Sequence, residues 1–244
     1  MNEPTIKRAL VTGGSGGIGA AISRRLGRDG HHVYVHANRG IDAASAVVKE
    51  IVESGGSART VRFDVTDAEG SRQALESVLS DGPIQILVNN AGIHDDAAFP
   101  GMSAGQWHRV INTSVNGFFN VTQPLVMPMI RTRWGRIINI SSITALTGNR
   151  GQVNYAAAKG ALNAATRSLA LEVASRGITV NAVAPGIIET PMSETRFDAQ
   201  AIARLVPMKR AGLPAEVASL VAYLASEEAG YVTAQVISIN GGMI

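Results

Sequence analysis

The segment Thr12-Gly13-Gly14-Ser15-Gly16-Gly17-Ile18-Gly19 stands between a short apolar run, Ile6 to Val11, and a helical pattern of Ile18, Ile22 and Leu26 that reaches Gly30. Glycine lets backbone approach a phosphate closely, and a helix N-terminus offers unpaired N–H groups and the positive end of a dipole. A strand, a glycine cluster and a helix in that order therefore form the context in which a pyrophosphate can be held. A lysine-bearing phosphate loop is the rival reading, but no Gly-Lys-Ser/Thr follows. An ordinary glycine turn is the third.

Outward from that junction, strand-like and helix-like segments alternate to the end of the chain. His32 to Ala37 reads as a second strand and Ala43 to Val52 as a second helix, stopped by Gly55-Gly56. Thr60 to Phe63 is the third strand, followed by a helix marked by Leu75, Val78 and Leu79. Ile84 to Val88, Ile137 to Ile140, Ile178 to Val183 and Val236 to Ile239 supply four more strands. Val153 to Ala174 is long, Ala-rich and free of proline, so it predicts a helix; Val217 to Ala225 predicts another. The alternation predicts an α/β fold: a Rossmann-like, doubly wound, seven-stranded parallel sheet with helices on both faces, in a single domain over 1–244. The least regular part, 186–213, holds Pro191 and Pro207 and is a candidate substrate lid.

The 244 residues are 45% hydrophobic and 17% charged, which excludes disorder as a description of the whole chain. There is no cysteine, so a thiol nucleophile, a disulfide scaffold and a thiolate metal site are excluded. The net charge of +3 has no dense basic stripe behind it and predicts no nucleic-acid role. No signal-peptide pattern and no apolar run of ~20 residues is visible, so a cytoplasmic protein away from membranes is expected. His31, His32, His36, His94 and His108 show no metal-ligand spacing, and no metal is expected. Met127 and Met129, with Pro124 and Pro128, read as helix packing.

Two further groups bear on chemistry. The second strand ends in Asn38-Arg39, where dinucleotide folds that use NAD place an acid for the ribose 2′-hydroxyl. Arg39 suits a 2′-phosphate instead, which favours NADPH; a solvated loop arginine is the plain alternative. Ser142 follows the fifth strand, while Tyr155 and Lys159 lie one helical turn apart on one face. An ammonium near a phenol favours the phenolate and makes tyrosine a usable acid. Taken alone, without the glycine turn, a Tyr/Lys pair at that spacing reads as surface decoration first.

With these pieces in order, the chain resembles the short-chain dehydrogenase/reductase family over essentially its whole length. The matching residues are TGGSGGIG at 12–19, Asp64-Val65, Asn89-Asn90-Ala91-Gly92, Ser142, Tyr155-Ala156-Ala157-Ala158-Lys159 and Pro185-Gly186. Within the family it is most similar to the 3-oxoacyl-(acyl-carrier-protein) reductases, through NYAAAKGAL, EVASRGITVNAVAPGIIET and INGGM. The resemblance implies a cofactor cleft of Gly13, Ser15, Gly16, Gly17, Ile18, Gly19, Asn38, Arg39, Asp64, Val65, Asn90, Ala91, Gly92, Tyr155, Lys159, Pro185, Gly186, Ile188 and Thr190. It also implies Ser142, Tyr155 and Lys159 as catalytic residues, NADPH as reductant, and a 3-oxoacyl chain on acyl carrier protein as substrate. Arg133 and Arg176 match the family's carrier-docking arginines; Arg131, Arg136 and Trp134 lie nearby, and a merely solubilising patch is the alternative. A homotetramer is implied, formed partly through the helix carrying Tyr155 and partly through the last strand.

Two departures from the family pattern stand out. Gly16 occupies a position where many NADPH-using relatives carry a basic residue, so the 2′-phosphate falls to Arg39. Ser114 stands where the family's fourth catalytic residue is asparagine, with Asn112 and Asn116 pointing away from it on a helix. An active enzyme with an altered proton relay is expected. The other readings are a family oxidoreductase acting on a small alcohol, sugar or steroid, and a nucleotide sensor without catalysis.

Overall fold

Every strand hydrogen-bonds in parallel to its neighbours in the computed structural model, which describes residues 6–190 and 198–244. The strands are β1 (Arg8–Val11), β2 (His32–Ala37), β3 (Ser57–Arg62), β4 (Ile86–Asn89), β5 (Gly135–Ile140), β6 (Ile178–Pro185) and β7 (Val236–Ile239). Their order across the sheet is β3-β2-β1-β4-β5-β6-β7. The chain reverses its winding between β1 and β4, and a crevice opens there at the carboxyl ends of the strands.

Strand alternation sends side chains to two separate cores. Ala9 and Val11 face α1 (Gly17–Arg28), α2 (Ile41–Glu53) and α9 (Pro214–Ala225), where Ile22, Leu26, Val47, Ile51, Val217 and Val221 close one layer. Leu10, Leu87 and Ile137 face α3 (Ala68–Leu79), α5 (Gly117–Thr132) and α7 (Val153–Val173), with Leu75, Leu125, Met129, Ala170 and Val173. Each fully buried Leu or Ile contributes about 1.5–3 kcal/mol, so both layers hold the sheet firmly. The predicted fold class and strand count stand.

Several boundaries differ from expectation. β1 starts at Arg8 because Ile6 is exposed. β3 starts at Ser57 and ends before Phe63; it is an edge strand whose burial alternates, so its first residues carry no apolar run to reveal it. A continuous helical stretch also escapes the sequence pattern: α4 (Ala104–Ile111), a π-helical turn at Asn112–Asn116, then α5. Met129 packs as expected, whereas Met127 is exposed. The segment 186–213 is not wholly irregular. α8 (Ala199–Leu205) runs through it, capped by the Asp198 carboxylate, and Ile188 bridges to Gly212. Residues 191–197 of the expected lid lie outside the described residues. The short helix α6 (Thr144–Thr147) follows β5.

Candidate active site

Two of the cavities at the carboxyl edge of the sheet adjoin each other. One, of about 380 Å³, is lined by the glycine turn, Asn90-Ala91-Gly92, Ser141, Tyr155, Lys159, Pro185 and Thr190. The other, of about 350 Å³, is lined by His94, Ser142, Gln152, Tyr155, Gly186, Ile187, Ile188 and Thr190. Ile18, Tyr155 and Thr190 belong to both walls. The cavities therefore adjoin along Tyr155 and its two neighbours in the wall.

The glycine turn is shaped for close approach. Gly13 has φ +61, a conformation glycine enters without steric cost. A Cβ on Gly19 would overlap the carbonyl oxygen of Gly13 and crowd Asn90 Nδ2. Asn90 Nδ2 donates to the carbonyls of Thr12 and Gly13, both at 3.0 Å, which fixes the turn from the β4 side. Helix α1 begins without a side-chain cap and without an acid in its first turn, so its leading N–H groups face the cleft end free for an anion. Ser15 lies beside Gly40, next to the loop bearing Asn38 and Arg39, both exposed. Asp64 continues from β3; bonds from Thr66, together with the nearby Asn38 amide and Arg39 charge, hold its carboxyl below the usual carboxylate range. Among the described residues, none comes within 4 Å of a Cβ placed on Gly16.

Lys159 is buried, and its ammonium donates to the carbonyl of Ile140 at 2.7 Å. Its nitrogen sits 5.7 Å from the centre of the Tyr155 ring. Burial lowers its pKa to about 8, so it is still mostly charged at neutral pH. Ser142 Oγ accepts from the Thr144 amide at 3.1 Å, which orients the hydroxyl at the start of α6. Gln152, at the start of α7, donates to Asp96 at 2.9 Å and pins the loop after β4 against the second cavity.

Ser114 lies in the π turn, buried, and its hydroxyl has no hydrogen-bond partner among the described residues. It lines a space of about 10 Å³ with Thr12, Asn89, Ala91 and Thr113, about the room one water needs. Lys159 does not line that space. Asn116 donates to Asn112 at 2.9 Å on the outer side, so neither asparagine replaces the serine.

The amino edge of the sheet carries the arginines. Arg133, in a left-handed conformation after α5, donates to the Ser175 carbonyl at 3.3 Å; it and Arg176 are exposed on abutting loops. Arg136 is a correction to the nearby docking group, because it is buried, with bonds to the carbonyls of Ser226 and Gly135. Trp134 is not a free anchor either: its ring lies between Lys7 and Arg136, and its N–H donates to Glu227.

Comparison with known proteins adds what geometry alone does not. Residues 7–201 match the family model described as short chain dehydrogenase. The chain belongs to the short-chain dehydrogenase family. This short-chain dehydrogenase is 44% identical to the 3-oxoacyl-(acyl-carrier-protein) reductase FabG of Aggregatibacter actinomycetemcomitans, over 96% of its own length and 98% of the relative's. It is 45% identical to FabG of Aquifex aeolicus, over 97% of each chain. It is also 45% identical to nodulation protein G of Azospirillum brasilense, over 97% of this chain and 98% of that one. It is therefore an oxidoreductase that works with a nicotinamide cofactor. The close-approach glycine turn and the uncapped start of α1 fit such a dinucleotide. Among the described residues, no group of acids and histidines has metal-site geometry, and no helix is long and apolar enough to cross a membrane.

Some of the site escaped sequence reasoning. Asn139 accepts from Asn89 at 2.9 Å and donates to Thr166 at 2.8 Å, joining β4, β5 and α7 inside the core. His36 bonds the glycine turn from β2. Both are polar residues set within apolar strand runs, and that interruption was the available signal.

Proposed function

We propose that the chain reduces the 3-keto group of an acyl chain held as a thioester on acyl carrier protein, with NADPH as reductant, as a step of fatty acid synthesis. The observation that carries this reading is the meeting of the two cavities at Tyr155, with Lys159 on one wall and Ser142 on the other. The named function of the FabG relatives supports the substrate class.

In this reading the glycine turn, Ser15, Asp64, Val65 and Asn90-Ala91-Gly92 hold the dinucleotide, and Pro185, Gly186, Ile188 and Thr190 border its reactive end. NADPH, when bound, supplies the hydride. Ser142 donates to the keto oxygen and holds it near Tyr155. Tyr155 transfers its phenolic proton to that oxygen as negative charge develops there. The Lys159 ammonium makes the phenol more acidic by favouring the phenolate. Arg39 is assigned the 2′-phosphate, since a guanidinium fork matches phosphate oxygens and the loop beside Ser15 presents no acid before Asp42. Ser114 is assigned a water in the relay.

Arg133 and Arg176 are assigned to the acidic carrier protein. They lie on the edge of the sheet opposite Ser142, with the six residues of β5 between, roughly 20 Å. Assembly belongs to the same reading. Phe119, Met127 and Leu171 are exposed on α5 and α7, and β7 is an open edge strand, so both suit burial between copies in a cytoplasmic homotetramer.

The deciding experiment mixes the purified protein with NADPH or NADH and a 3-ketoacyl thioester, free or on carrier protein, and follows reduced-cofactor absorbance. Fast oxidation of NADPH with the carrier-bound substrate is expected. Turnover of simple alcohols or sugars in place of the thioester would reject the proposed substrate class.

A further inference from the structure

We propose that His36 is a positioning residue of the dinucleotide cleft, an internal strut that sets the gap between the glycine turn and the Asp64-Val65 wall. The inference rests on assigning that cleft to a dinucleotide.

His36 is the penultimate residue of β2 and is 2% exposed. Its Nδ1 accepts from the Gly13 amide at 3.1 Å, and its own carbonyl accepts from the Gly14 amide at 2.8 Å. Two consecutive amides of the turn are thus held by one residue. On the other side of the ring, Nε2 stands 3.0 Å from the carbonyl of Phe63, the residue before Asp64. A carbonyl only accepts and an amide N–H only donates, so the two partners demand one tautomer, with the proton on Nε2. The Phe63 ring packs against the imidazole at 4.0 Å between centres. Burial lowers the pKa to about 4, which keeps the ring neutral and this pattern intact at physiological pH.

The geometry gives the strut its purpose. Asn90 grips the turn from β4 through the Thr12 and Gly13 carbonyls, while His36 grips it from β2 through the Gly13 and Gly14 amides. Of these two grips, only that of His36 continues to Phe63 just past β3, where the Asp64-Val65 wall begins. An apolar residue there would leave the half-buried Gly13 N–H and the buried Phe63 carbonyl without this partner, and the turn would lose its spacing from that wall. No atom of His36 needs to touch the dinucleotide. The expected signature is weaker binding with the chemical step intact.

Three variants separate the two bonds. His36→Leu removes both. His36→Asn keeps an acceptor for Gly13, with its Oδ1 near the place of Nδ1. His36→Gln keeps a donor toward Phe63 and leaves the Gly13 amide unpaired. Dissociation constants for NADPH and NADH are measured by fluorescence, melting temperatures without cofactor, and kcat at saturating NADPH. His36→Leu is expected to weaken NADPH binding about tenfold or more with kcat within about twofold, and His36→Asn to recover most of the loss. Binding by His36→Leu within twofold of the unmodified protein overturns the proposal. If His36→Leu does not fold, tighter binding by His36→Asn than by His36→Gln supports it, and equal binding overturns it. Imidazole 15N resonances of the unmodified protein at pH 7 give a check without cofactor: a protonated Nδ1 overturns the strut. If the unmodified protein binds neither dinucleotide, the cofactor assignment fails first, and the tautomer result still reports the bond.

Discussion

At the amino edge of the sheet, cations are fastened into the structure. Lys7 and Arg136 flank the Trp134 ring at 4.4 and 4.3 Å, Glu227 takes the indole N–H, and Arg8 and Arg59 lie over Tyr34. At the carboxyl edge, polar groups line cavities: the buried amine of Lys159 and hydroxyl of Ser114, and the half-buried hydroxyl of Ser142 and first residues of α1. Both edges come from the same strands, so burial alone does not distinguish them. The difference lies in whether the polar groups are fully matched by protein partners. Matched groups stabilise; groups left facing a cavity are available to a ligand. Arg133 and Arg176 are the exception at the amino edge, exposed and held only lightly.

Substitutions can break this contrast. Tyr155→Phe removes the proposed proton donor where the cavities meet; kcat should fall about 10³-fold while NADPH binding, measured by fluorescence, stays within a few-fold. Retained turnover would mean that the carboxyl edge is not where chemistry occurs. Lys159→Met should lower kcat about 10²-fold. In the unmodified enzyme the ammonium is present below pH 8 and lost above it, because burial lowers its pKa to about 8. The pH–rate profile should therefore decline above about 8, and Lys159→Met should lose that limb.

Other changes sharpen the contrast. Arg133→Glu with Arg176→Glu should lower kcat/KM for carrier-bound substrate about 20-fold and for a small thioester less than about twofold, as expected for steering charges. Equal effects on both would return these arginines to plain surface. Arg39→Ala should weaken NADPH about tenfold and leave NADH unchanged, from loss of one charge-assisted contact, checked by paired titrations. Ser114→Asn should change kcat only about threefold and shift its pH profile, since a longer side chain fills the one-water space. An unchanged rate and profile would remove Ser114 from the relay.

Much of this was legible in residues close together in sequence. The glycine turn was read from its place between an apolar run and a helical pattern, and Tyr155 with Lys159 from one turn of a proline-free helix. Local spacing suffices there, because strand and helix periods put those side chains in place regardless of the rest of the fold. The edge strand β3 was misplaced for the opposite reason: its residues answer to solvent on one side, not to a local apolar rule. The π turn was invisible because nothing in Asn112–Asn116 marks a wider turn than an α-helix.

The order of motifs along the chain was enough to specify a parallel sheet with a glycine turn between its first strand and first helix, and to nominate Ser142, Tyr155 and Lys159 as the residues to test. Packing alone established that Ile18, Tyr155 and Thr190 wall two cavities together, that Arg136 is enclosed while Arg133 is not, and that His36 spans from Gly13 to Phe63. Those facts join residues from different strands, and such neighbours exist only once the sheet order and register bring distant segments within hydrogen-bonding range.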